Sequence, residues 1–63
     1  MSMAWVAVDK NGCECVFSIK PERSPYYTWR IRVYGCYIEL PKGTIKKLIG
    51  RELNWSDEPV KLE

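Results

Sequence analysis

Cys13-Glu14-Cys15, joined by Cys36, is the one set of side chains in this 63-residue sequence whose types and spacing could hold a metal or run thiol chemistry. On an extended strand, positions 13 and 15 project to the same face, and a neighbouring hairpin could bring Cys36 alongside them. Three thiolates still fall one ligand short of a tetrahedral zinc site. The chain has no histidine to complete it, and C-x-C is tighter than the usual C-x₂₋₄-C knuckle. A nucleophilic thiol has the same difficulty, because it needs an imidazole or a similar base beside it. The expected role of the three thiols is therefore that of small buried hydrophobes, with no metal and no other cofactor. Nearly all of Glu14, Glu22, Glu39, Glu52, Asp57 and Glu58 fall in exposed or turn positions, where nothing would tune a carboxyl for acid–base work. The glycines stand singly rather than in a phosphate-binding loop. Enzyme activity is not expected.

Two groups of side chains remain as binding candidates. Tyr26 and Tyr27 precede the stretch TWRIRVYGCYIEL and Tyr34 stands at its turn, the ends of the expected hairpin, where they could cover the rim of a small core or contact a partner. Lys42, Lys46, Lys47 and Arg51 form a run of bases uninterrupted by an acid, which suits either a solvated helix surface or an anionic partner such as nucleic acid. The tail answers with Glu52, Asp57, Glu58 and Glu63, leaving a net charge of only +2.

These residues must be positioned by few elements. WVAVDKNGCECVFSI is two strand-like runs about an Asn-Gly turn, the strongest short-range hairpin signal. A three-residue loop Lys10-Asn11-Gly12 with a bulge would set Trp5 and Ala7 beside Phe17 and Cys15; a four-residue loop from Asp9 would instead align Val6 and Val8 with Cys15 and Cys13. Either way the first strand is apolar on both faces and belongs in the middle of a sheet or beneath a second layer. KPERSPYYT, broken by Pro21 and Pro25, reads as an exposed loop. Strict alternation over residues 28–33 puts Trp29, Ile31 and Val33 on one side and Thr28, Arg30 and Arg32 on the other. A two-residue turn at Tyr34-Gly35 would then pair Arg30 with Glu39, Arg32 with Tyr37, Ile31 with Ile38 and Val33 with Cys36. Ile45, Leu48 and Ile49 have helical spacing, with Thr44 as N-terminal cap and Gly50 as a left-handed stop. So short a helix must dock on the sheet. Trp55 is expected to anchor the tail, and Val60 to Leu62 to form a last strand; the closing Leu62-Glu63 carries no functional weight in this reading. Asn54-Trp55-Ser56 matches a glycosylation pattern that has no use in an intracellular chain.

The fold class expected is mainly β, a small α+β domain spanning residues 1–63. It is an antiparallel sheet of two β-hairpins with one short docked helix, an SH3-like barrel being the variant. A chain this short buries only about 60% of its unfolded surface, so self-association is a ready way to hide the remainder. No apolar run approaches the roughly 18 residues of a membrane span, no leader pattern is visible, and an odd cysteine count suits a reducing compartment. The expected setting is cytoplasmic.

WVAVDKNG, LPKGTIKKLIGREL and WSDEPVKL together resemble small uncharacterised proteins of gut-commensal bacteria and their mobile elements. The resemblance spans most of the chain and implies a bacterial cytoplasmic origin; it brings no activity and no site residues with it. The residues themselves lead to two expectations. One is a non-enzymatic protein-interaction module, homodimeric in one form, that binds through Tyr26, Tyr27 and Tyr34. The alternative is a nucleic-acid-binding accessory protein that uses Lys42, Lys46, Lys47 and Arg51.

Overall fold

The structure is a computed structural model that describes residues 4–32 and 34–62. Its elements are β1 (Ala4–Val8), β2 (Glu14–Phe17), β3 (Glu22–Arg23), β4 (Trp29–Arg30), β5 (Tyr37–Leu40), α1 (Thr44–Ile49) and β6 (Val60–Leu62). One antiparallel sheet runs in the order β5-β2-β1-β6, and β3 and β4 form a separate two-stranded ribbon. The fold is thus mainly β with one short helix, as the sequence indicates, and the sheet is open rather than closed into a barrel.

The Asn-Gly turn resolves the first register. Trp5 pairs with Phe17 and Ala7 with Cys15. The Asp9 N–H donates to Cys13 O at 2.9 Å, the Gly12 N–H donates back to Asp9 O at 2.9 Å, and Gly12 takes φ 93°. This is the three-residue loop with a bulge, which only a residue tolerant of positive φ can close.

β1 lies inside the sheet and is covered on both faces, as its double-sided apolar sequence requires. On one face Ala7, Cys15 and Phe17 pack with Trp29, backed by Trp5, Ile31 and Trp55. On the other, Val6 and Val8 pack with Ile45 of α1, backed by Val16, Leu40, Ile49, Leu53, Val60 and Leu62. Each face alternates along the strands, so the two clusters are the two sides of one pleated sheet. Leu62 pairs with Ala4 and joins the helix-side core, so it belongs to the fold.

The second hairpin does not form. β5 pairs with β2, setting Val16 opposite Ile38 and Cys15 opposite Glu39, while β4 pairs with β3, setting Arg30 opposite Glu22 and Trp29 opposite Arg23. The expected Arg30–Glu39, Arg32–Tyr37 and Ile31–Ile38 pairs are absent, and Val33 lies outside the described residues. Arg32 instead meets Glu22 at 3.4 Å. Gly35 is not the hinge of a turn. A Cβ there would come within 3.1 Å of Ile19 and Ile31, so it serves close packing. Within residues 20–28, expected as an exposed loop, Glu22–Arg23 forms β3 and the mostly exposed remainder turns the chain into β4; only Pro21 and Ser24 are buried there, and the Ser24 N–H donates to Thr28 O at 2.8 Å.

Two polar ties hold the outer layers. The Trp29 indole N–H donates to Val8 O at 2.9 Å, a carbonyl left over because pairing with β6 ends at Val6. The Trp29 backbone N–H donates to Asp9 Oδ1 at 2.9 Å. Arg23 then lies 4.6 Å from the centroids of both Trp29 and Trp55, and its Nη1 donates to Trp55 O at 2.6 Å. Trp55 is the expected anchor, with Arg23 as the staple that the sequence did not suggest.

On the opposite face, the Glu14 side chain of β2 receives the N–H groups of Gly43 at 2.8 Å and Ile45 at 2.9 Å. These are orphan donors at the start of α1. Thr44 does not cap: its hydroxyl donates to Pro41 O at 2.6 Å, and Gly43 is the N-cap residue with no side-chain bond of its own. Gly50 ends the helix at φ 82°, its N–H donating to Lys46 O, as expected. Leu48, placed on the docking stripe by its spacing, is half exposed. No helix among the described residues is long and apolar enough to cross a membrane.

Glu14→Ala should cost about 1–2 kcal/mol in urea unfolding by orphaning two helix donors, and Glu14→Gln, with one accepting oxygen, should cost less. Arg23→Ala should lose about 1–2 kcal/mol and expose residues 54–58 to limited proteolysis; Arg23→Lys should not restore the loss, because an ammonium cannot stack as a planar guanidinium does.

Candidate functional site

The residues marked out by sequence do not gather into one site. Tyr26 and Tyr27 occupy the ribbon's turn, where Ser24 Oγ accepts the N–H groups of Tyr26 and Thr28 at 3.1 and 3.3 Å. Tyr27 has φ 64°, unusual for a residue with a Cβ. Its ring meets Trp55 edge-on at 6.4 Å and lies under the Lys10 ammonium at 4.4 Å. Tyr26 remains 79% exposed and Tyr34 99% exposed, so neither covers the core rim. Tyr27 alone does so, in part.

The basic run is also divided. Lys42 and Lys46 line a cleft of about 330 Å³ with Lys10, floored by Val8, Ile45 and Leu53, whereas Lys47 and Arg51 lie outside it. Asp9, Glu14 and Glu52 stand in the same cleft, which tempers its positive field.

The thiols are dispersed in environment. Cys15 is buried in the ribbon-side core, Cys13 is half-buried, and Cys36 is exposed rather than packed as a small hydrophobe. Burial, with the charge of Asp9 behind it, pushes the Cys15 thiol up to about 11. The Cys13 thiol is raised chiefly by its contact with Glu39, whose Oε2 it approaches at 3.5 Å. Among the described residues no group of three or more Cys, Asp or Glu side chains is placed to hold a metal.

The feature that sequence reasoning missed is the outer edge of the sheet at β5, with which no other strand among the described residues pairs. The Ser18 N–H donates to Cys36 O at 2.9 Å, and continuing the register of β2 with β5 gives hydrogen-bonded pairs at Val16–Ile38 and Glu14–Leu40. The parity agrees with the other side of β2, where the Asp9–Cys13 bond directs Cys15 and Phe17 toward β1. It follows that Ile38 and Leu40 spend their backbone groups on β2, while the N–H and C=O of Tyr37 and Glu39 point outward. Tyr37 and Ile38 are each 65% exposed, Tyr37 stacking at 5.7 Å on Phe17. A groove of about 200 Å³ runs beside them, lined by Ala4, Val16, Phe17, Ser18, Cys36, Tyr37 and Ile38.

The sheet's other edge is guarded. β6 has three residues, Pro59 precedes it without an N–H, and its middle residue is Lys61, the combination by which natural sheets discourage edge pairing. One signal of the exposed β5 was present in the sequence. Tyr34-Gly35 lacks the Asn-Gly or Asp-Gly character that a two-residue hairpin turn favours, so the strand after it was free to seek another partner.

Comparison of the chain with protein-family models, with curated proteins and with solved structures returns no match.

Because the folded state holds the Cys15 proton more tightly than an unfolded thiol near 9, the stabilisation is complete below about pH 9 and is lost as pH rises through about 11. Denaturant unfolding across this range should show stability falling with pH, and Cys15→Ala should reduce that slope relative to the parent chain.

Proposed function

We propose that this chain is a small, non-enzymatic protein-interaction module that takes an extended segment of its partner onto the edge of β5. The observation that carries the reading is the pairing of outward backbone groups at Tyr37 and Glu39 with two large side chains, Tyr37 and Ile38, left mostly in water. Main-chain hydrogen bonds would supply affinity, and the groove beside Ile38 would select an aliphatic or aromatic side chain. The recognition element shifts accordingly from Tyr26, Tyr27 and Tyr34 to residues 36–40. A bacterial cytoplasm is the setting we propose; the odd cysteine count supports the reducing compartment, and the bacterial origin rests on the resemblance to small proteins of gut commensals.

A nucleic-acid accessory role is the second reading. Its support is the convergence of Lys42 and Lys46 with Lys10 on one cleft. The three carboxylates there and the separation of Lys47 and Arg51 weigh against it.

Capped peptides of alternating aliphatic and polar residues, titrated into isotope-labelled chain at low micromolar concentration, should move the Tyr37 and Glu39 amide signals. Ile38→Lys should weaken the binding by about tenfold or more, the cost of losing one buried aliphatic side chain. The Tyr26→Ala/Tyr27→Ala double variant should bind as the parent does. Peptides that leave β5 unmoved, with salt-dependent retention of DNA or RNA that Lys42→Ala/Lys46→Ala abolishes, would replace this reading with the second.

A further inference from the structure

We infer that the segment β5 receives is the β5 of a second copy of this chain, joined about a two-fold axis at Ile38 so that two four-stranded sheets become one. This rests on the reading of β5 as a docking edge and names its occupant. An isologous contact requires a strand that complements itself, and β5 does so in one register.

Opposed residues of an antiparallel pair share a face, so an axis passing between two residues is excluded, because it always opposes a helix-side position to a ribbon-side one, as Ile38 to Tyr37 or Glu39. Only axes through a residue remain. An axis at Glu39 opposes two carboxylates and brings Tyr37 to Pro41, which has no N–H to give. An axis at Tyr37 sets Glu39 against Gly35, beyond the start of the strand. An axis at Ile38 avoids both faults. The outward N–H and C=O of Tyr37 meet those of the other copy's Glu39, and the reverse pair repeats it, which satisfies every outward backbone group of β5. On the ribbon side each Tyr37 hydroxyl can face a Glu39 carboxylate. On the helix side Ile38 meets its own copy, and Cys36 lies opposite Leu40, so the two grooves lined by Val16, Cys36 and Ile38 abut across the axis.

Light scattering on the full chain, from low micromolar to near-millimolar concentration, should pass from the 7.4 kDa monomer to twice that mass. Glu39→Pro removes an N–H that the intramolecular ladder does not use, and Ile38→Lys places a charge on the axis. Both should remain monomeric while keeping the parent's far-UV circular dichroism. In a Cys36→Ser background, Ile38→Cys should form a covalent dimer when copper phenanthroline and air accept the two thiol electrons, and the background alone should not. The two-fold pair is not hydrogen-bonded, and its Cα atoms, about 4.5 Å apart, are within disulfide reach. If Glu39→Pro unfolds, this cross-link decides. A monomer at every concentration, or a dimer indifferent to Ile38→Lys and without the cross-link, overturns the inference. In the monomeric case, peptide-induced shifts at Tyr37 and Glu39 would leave the docking edge standing, and their absence would remove both.

Discussion

A strand that is apolar on both faces has to be covered twice, and the rest of this molecule follows from meeting that demand in a short chain. Val6 and Val8 turn to one side of the sheet and Trp5 and Ala7 to the other. Neither side can be left to water without losing one of the two clusters that make up the core. One cover is six residues of helix, too short to be stable alone, and the other is a ribbon of two-residue strands. Both are thin layers, and each is held by polar bonds that single out one docking position.

Those bonds explain why the covers sit where they do. Glu14 lies on β2, facing the helix side, and its carboxylate spans the start of α1, so the helix is capped by the sheet it covers. Trp29 brings a large indole to the ribbon-side core and needs a partner for its N–H, which Val8 O provides because β6 stops short of it. Arg23 then clamps the tail through Trp55. Hydrophobic burial supplies the drive, and these directional contacts supply the geometry.

The parts of the fold that were legible in the sequence are those decided locally or by composition. Gly12 and Gly50 announce backbone conformations that few other residues adopt, and both stand where the chain turns or the helix stops. The two-sided apolarity of residues 5–8 announced a central strand. The partner of residues 37–40 was not legible. Alternation reports which side chains share a face, but it does not say which strand lies alongside. The Arg–Glu and Arg–Tyr pairings that favoured a local hairpin are worth only about 0.2–1 kcal/mol each. Pairing with β2 instead completes a continuous sheet and frees Trp29 to cover it, a gain visible only when all the elements are present together. The candidate site was missed for the same reason, since the exposure of Ile38 follows from β5 being an edge.

The sheet order also sets a schedule for synthesis. β1 is translated before every other strand, yet one of its two neighbours, β6, comes from the far end of this stretch of chain. While a ribosome is still producing the residues between, the emerging polypeptide carries β1 with β2 on one side and no strand yet on the other. Until Val60–Leu62 is free to fold back, β1 can pair with β2 alone, and its other backbone edge waits for a partner.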